Sequence, residues 1–204
     1  MADIFFIESF LNRYGVEGPR QIRGYIPCRP RNFTGLNQNP AEYTAIGASG
    51  VTIATGCDLG QTDVKTLASY GIEDSIISPL IPYLGKKKND AIQKLAAMPL
   101  SVSEAVAAEI DYYVHRGYLD RWVRPAYERD SGGVKFDDIP KEAQTVVFSC
   151  CYQKGCGGVR RDWPKLWGYL TTQNWAAASN ELITGFRQYA ERRRMEGELL
   201  KELA

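Results

Sequence analysis

A chain of 204 residues with 44% hydrophobic and 11% aromatic residues has ample material for a core, which excludes a disordered chain. Its 25 basic and 24 acidic residues leave a net charge of +1, so nothing in the balance asks for a nucleic-acid partner. No stretch approaches the ~18 uncharged residues that a membrane span needs.

Residues 2–14 predict an amphipathic helix through Ile4, Ile7 and Leu11, with Gly15 as its stop. Residues 18–50 are rich in Gly, Pro, Asn and Arg, and predict an irregular stretch with short strands or hairpins. Residues 50–57, β-branched between glycines, predict a short strand. Short helices are expected over residues 62–70, ended by Gly71, and over 73–83, broken near Pro79 and Pro82. Ser101 or Ser103 caps a long helix running to about residue 128. A polar turn around Gly132-Gly133 precedes a buried helix over 140–154. Helices over 162–171, 174–184 and 185–203 complete the chain. The class is α+β.

The N-terminus has no basic segment before its apolar run, and acids interrupt that run, so no export signal is predicted. The five cysteines, Cys28, Cys57, Cys150, Cys151 and Cys156, form no complete disulfide framework and are expected as thiols. A Cys28–Cys57 bridge after export is the exception considered. A cysteine peptidase would need the one histidine, His115, beside a cysteine, and no nucleophile signature supports it. A zinc site from Cys150, Cys151, Cys156 and His115 lacks a Cys-x-x-Cys pair. No phosphate-binding loop is present. No metal or cofactor is expected.

Cutting a glycosidic bond takes two carboxyl groups, one protonated and one ionised, kept apart by their surroundings. Two acids stand in suggestive settings: Glu17, in Gly15-Val-Glu-Gly18, and Asp58, in Thr52-Ile-Ala-Thr-Gly-Cys-Asp-Leu-Gly-Gln61. On spacing alone each reads equally as a solvated group or a helix cap.

The segment Gly50-Val-Thr-Ile-Ala-Thr-Gly-Cys-Asp-Leu-Gly-Gln61 resembles the core motif of the pesticin-type muramidases, toxin relatives of phage lysozymes. Glu17-Gly18 and Gly24-Tyr-Ile-Pro27 stand before it in the family order. Pro82-Tyr-Leu-Gly85, Ser149-Cys-Cys-Tyr-Gln-Lys-Gly155 and Arg192-Arg-Arg-Met-Glu-Gly-Glu-Leu-Leu200 are similar to later family segments. The resemblance implies one lysozyme-like domain over residues 1–204. A β-containing N-terminal lobe (about 15–60) would be joined by a long helix to a helical C-terminal lobe (about 100–204). It implies Glu17 as general acid, Asp58 as the group acting on water, Thr52 as a water holder, and Tyr25 and Gln153 as sugar contacts. Glu8 is the fallback acid.

Two departures from the family pattern stand out. The segment over 28–49 is longer, and Cys57 replaces a common aromatic. The implied activity is inverting hydrolysis of the β-1,4 bond between N-acetylmuramic acid and N-acetylglucosamine in peptidoglycan. Lytic transglycosylation and an inactive wall-binding module are the alternatives. The chain is expected as a monomer, made in the cytoplasm and acting in the periplasm or wall of a bacterium, as toxin, effector or endolysin. A periplasmic immunity protein is the expected partner. Trp163 and Trp167 read as packing, and Arg192, Arg193 and Arg194 as a solvated, ion-paired face.

Overall fold

The computed structural model describes residues 2–203. Helices dominate and the strands are few, short and confined to residues 21–58, so the chain is α+β. No helix among the described residues is long and apolar enough to cross a membrane. The chain divides into two compact units. Gly18–Gly117 forms one, and the segment up to Glu17 joins the segment from Tyr118 onward to form the other.

The Gly18–Gly117 unit carries the strands. β1 (Gln21–Tyr25), β4 (Thr52–Ala54) and β5 (Cys57–Asp58) make an antiparallel sheet in the order β1-β4-β5, while β2 (Cys28–Arg29) pairs with β3 (Thr44–Ala45). The expected single strand over 50–57 is a hairpin. Ala54 and Gly56 both adopt positive φ, 53° and 77°, which turns the chain back within three residues. Cys57-Asp58 then returns alongside Thr52-Ile53.

Helices α2 (Val64–Ser69), α3 (Asp74–Ile77), α4 (Lys88–Ala97) and α5 (Glu104–Tyr118) follow, with a 3-10 stretch over Ser78–Tyr83 where the two prolines fall. Sequence periodicity did not reveal α4, because its lysine-rich start hides the buried triplet Ala91, Ile92 and Leu95. The long 28–49 segment packs on α4: a Cβ on Gly35 would lie 2.5 Å from the Leu95 carbonyl oxygen. Phe33 and Tyr43 within it meet edge to face at 5.0 Å. Ser103 caps α5 by accepting the Val106 N–H at 3.2 Å. The expected run to residue 128 stops at Tyr118, widens into a π-helical turn over Leu119–Val123, and resumes as α6 (Arg124–Asp130). Pro125 stands at the start of α6; it lacks an N–H and crowds the carbonyl four residues back.

The other unit is helical. α1 (Ile4–Leu11) packs on α7 (Lys141–Lys154), which is buried on every side from Ala143 to Cys151. A helix buried all round belongs to the middle of a core. α8 (Cys156–Asp162) and α11 (Ala190–Lys201) pack on it, α9 (Pro164–Thr171) packs on α8 and on α10 (Trp175–Thr184), and α10 packs on α11. α8 was not expected, since Gly157-Gly158 weakens its helical signal and only Val159 is fully buried. The last helix begins at Ala190 rather than 185, after Tyr189 in a left-handed conformation. Gly197 lets α11 approach α10: a Cβ there would meet Ile183 at 2.6 Å and the Ser179 carbonyl at 2.9 Å.

Candidate active site

The three-stranded sheet brings three of the sequence candidates into one row. Tyr25 lies opposite Thr52 across β1 and β4, and Thr52 lies opposite Asp58 across β4 and β5. Directly opposed residues project from the same face of an antiparallel sheet. Thr52 is buried, with its hydroxyl 3.5 Å from the Gly50 carbonyl; Tyr25 and Asp58 are half-buried.

Asp58 is held by backbone and side-chain donors. Its Oδ1 accepts from Gly50 N–H at 3.0 Å and Gly60 N–H at 2.9 Å, and Oδ2 is 3.4 Å from Gln61 Nε2. Burial pushes the carboxyl above its ordinary value of 3.8, while these hydrogen bonds and the Lys87 charge pull against that rise. The two glycines are required by space. A Cβ on Gly50 would sit 2.5 Å from both Gly60 Cα and the Lys86 carbonyl oxygen.

The hairpin tip is anchored from α5. Asp111, 1% exposed, accepts from Thr55 N–H and from Thr55 Oγ1, each at 2.7 Å. Arg20 Nε donates to the same carboxylate at 2.6 Å. Buried His115 places Nε2 3.4 Å from the Thr55 carbonyl oxygen. Sequence reading left Asp111 and His115 without this role. The spacing of Asp111 and His115, one helical turn apart in an otherwise apolar-periodic helix, is the signal that the sequence offers.

Glu17 belongs to the helical unit. α1 ends at Leu11 with Asn12 as its cap, three residues before the expected stop; the chain then turns through Gly15, φ +90°, and the Glu17 N–H returns to the Leu11 carbonyl at 3.1 Å. The side chain is 20% exposed and meets Arg192 Nη1 at 2.5 Å. The fallback Glu8 lies half-buried within α1.

The expected solvated face over residues 192–194 is corrected at two of its three positions. Arg192 and Arg193 are 3% and 1% exposed, and only Arg194 faces solvent, pairing with Glu191 at 2.8 Å. α11 is packed between α7 and α10, so successive residues on it are covered from two sides. Fully buried Glu196 pairs with both arginines, at 3.2 Å from Arg192 Nε and 2.9 Å from Arg193 Nη1, and Arg192 shares its charge with Glu17 as well. Ser149 on α7 donates to Glu196 at 2.5 Å and accepts from Arg192 Nη2 at 2.9 Å. Gln153, the expected sugar contact, accepts a hydrogen bond from Arg193. Arg193 also lies over Trp163, 4.9 Å from the ring centre, and Trp167 is buried with Nε1 on Asp130 at 2.9 Å. Pairing of these arginines with Glu196, Glu198 or the central lobe is open to the sequence, and the structure shows Glu196; the burial of the pairs and the Ser149 hydroxyl on α7 are what the sequence does not show.

All five cysteines are free thiols. Burial pushes Cys57 and Cys150 up to about 12, where a thiol is a poor nucleophile. Among the described residues no group of three or more His, Cys, Asp or Glu is arranged to hold a metal ion.

The two acids thus sit in contrasting surroundings. Asp58 rests against backbone donors in one unit, and Glu17 against a buried guanidinium in the other. No curated protein matches the chain. The family model for pesticin, described as a bacterial toxin homologue of phage lysozyme, matches residues 8–176, which include Glu17, Tyr25, Thr52, Asp58 and Gln153. The chain belongs to that family of lysozyme-like bacterial toxins.

Proposed function

We propose that the protein is a muramidase that hydrolyses the β-1,4 bond between N-acetylmuramic acid and N-acetylglucosamine in peptidoglycan. The observation that carries this reading is the row of Thr52 opposite Asp58. There a partly desolvated carboxyl is aimed by Gly50 and Gly60, in a chain of the lysozyme-like toxin family. In this mechanism the Glu17 carboxyl gives its proton to the glycosidic oxygen as the bond to the anomeric carbon breaks. Asp58 takes a proton from the attacking water, and the Thr52 hydroxyl helps hold that water. The water oxygen bonds to the anomeric carbon from the opposite face, so the configuration inverts. Arg192 is a positioning residue that fixes the Glu17 carboxyl. Tyr25, in the same row, offers a ring to a sugar face.

The protein acts, in this reading, as an antibacterial toxin in the periplasm or wall of a target cell. Its producer is then protected by an immunity protein that blocks the site. The test is digestion of purified peptidoglycan by wild type, Glu17→Gln and Asp58→Asn, with products identified by mass spectrometry. Wild type is expected to release reducing muropeptides, and each variant to lose about 10²–10⁴-fold in rate while staying folded. Anhydro products would move the reaction to transglycosylation, and an intact glycan would sink the enzyme reading.

A further inference from the structure

The segment Lys86–Lys88 runs directly past Asp58. The Lys86 carbonyl oxygen abuts Gly50 and Gly60, Lys88 N–H donates to the Ser49 carbonyl at 2.9 Å, and the Lys87 charge acts on the Asp58 carboxyl. Among the described residues no carboxylate lies within ion-pair distance of the three lysine side chains. This is a local excess of positive charge in a chain whose net charge is only +1. Lys88 adopts φ of +52°, a conformation that costs energy for a residue other than glycine and is found disproportionately at functional sites.

A cavity of about 400 Å³ opens at this point, lined by Tyr43, Thr44, Gly47, Lys88, Asn89 and Ile92. That volume falls within the range of small-ligand sites. One wall is the 28–49 segment, which reads as longer than the family pattern, and the other is the first turn of α4. The wall chemistry is mixed in a useful way. Ile92 and the Tyr43 ring offer apolar surface. Thr44 and Asn89 offer a hydroxyl and an amide, and Lys88 offers a cation.

We propose that this cavity is a subsite for an acidic peptide borne by the glycan, the stem peptide on the muramic acid lactyl group. Lys88 pairs with a peptide carboxylate, Asn89 and Thr44 with peptide amides, and Ile92 and Tyr43 cover the aliphatic part. The position explains the choice of ligand. Lys88, in the cavity wall, follows directly on the segment whose Lys87 acts on Asp58, so a sugar held at the Asp58 row has its peptide branch on this side, and a carboxylate is the charge that the Lys88 cation selects. The assignment rests on the muramidase reading for its substrate, but binding can be measured without cleavage.

The test titrates the whole protein with a disaccharide bearing its stem peptide, and with the same disaccharide stripped of peptide. Wild type and Lys88→Asn are compared by calorimetry; asparagine tolerates the left-handed backbone, so this variant keeps the fold. Wild type is expected to bind the peptide-bearing ligand at least roughly tenfold tighter, and Lys88→Asn to erase that preference while leaving stripped-ligand binding unchanged. Added salt should weaken only the peptide-dependent part. Equal binding of the two ligands by wild type, or an equal loss for both in the variant, overturns the subsite. Cleavage of glycan by a protein that shows no peptide preference refutes the subsite and leaves the muramidase reading standing. A Lys88-dependent preference in a protein that cuts no glycan does the reverse.

Discussion

Asp58 is the residue on which opposite pulls meet. Burial raises its carboxyl, and Gly60, Gly50, Gln61 and Lys87 oppose the rise without cancelling it. In the unfolded chain it titrates near 3.8, so the native state keeps its proton to a higher pH than the unfolded state does. Native stability therefore falls as pH rises from 3.8 through the raised value. A water-activating role needs the ionised form, so the acidic limb of the rate against pH should lie above 3.8. Lys87→Met removes a charge that favours ionisation, and is expected to move that limb further up. A limb unmoved by the substitution would show that Asp58 does not set it. The residue itself was legible, because glycines bracket it in a recognisable order. The donors that aim it were not, since backbone N–H groups leave no mark on residue type. Gln153 shows the opposite failure. Its position in a family segment was plain, while its bond to Arg193 depends on a helix forty residues away.

The element that matters most is the β4–β5 hairpin, which carries Thr52 and Asp58 on adjacent strands. Its tip would be a loose turn without Asp111, whose carboxylate takes both the Thr55 N–H and hydroxyl. Asp111→Ala leaves a buried N–H without a partner, a loss of about 1–3 kcal/mol in stability. Arg20, 30% exposed on its side chain, can turn to water and adds less. Chemical denaturation measures this, and an unchanged midpoint would remove Asp111 from the account. Reading this region as one strand followed from β-branched residues that suit either arrangement; the positive φ of Ala54 decides it, and no alanine advertises that. Where apolar spacing was strong, as in α1 and α7, the elements were found within a few residues. Where glycines or lysines diluted it, as in α8 and α4, tertiary packing made the helix.

Across the helical unit, one buried charge cluster ties α7 to α11. Glu196 holds two guanidinium groups and the Ser149 hydroxyl with no solvent to share the work. Glu196→Gln leaves two buried cations short of a counter-charge and is expected to destabilise the protein by about 3–5 kcal/mol. Thermal unfolding at neutral pH would show it, and a variant melting with wild type would refute the cluster's role. The division of the chain gives this unit a further property. Gly18–Gly117 is continuous in sequence, whereas Glu17 meets an arginine 175 residues downstream. At synthesis rates of about 5–20 residues per second, roughly ten to thirty-five seconds separate the two on the ribosome. In that interval Glu17 has no Arg192 to meet, however well the sheet has formed. In the proposed mechanism, the last helix is thus the element that sets the general acid in place.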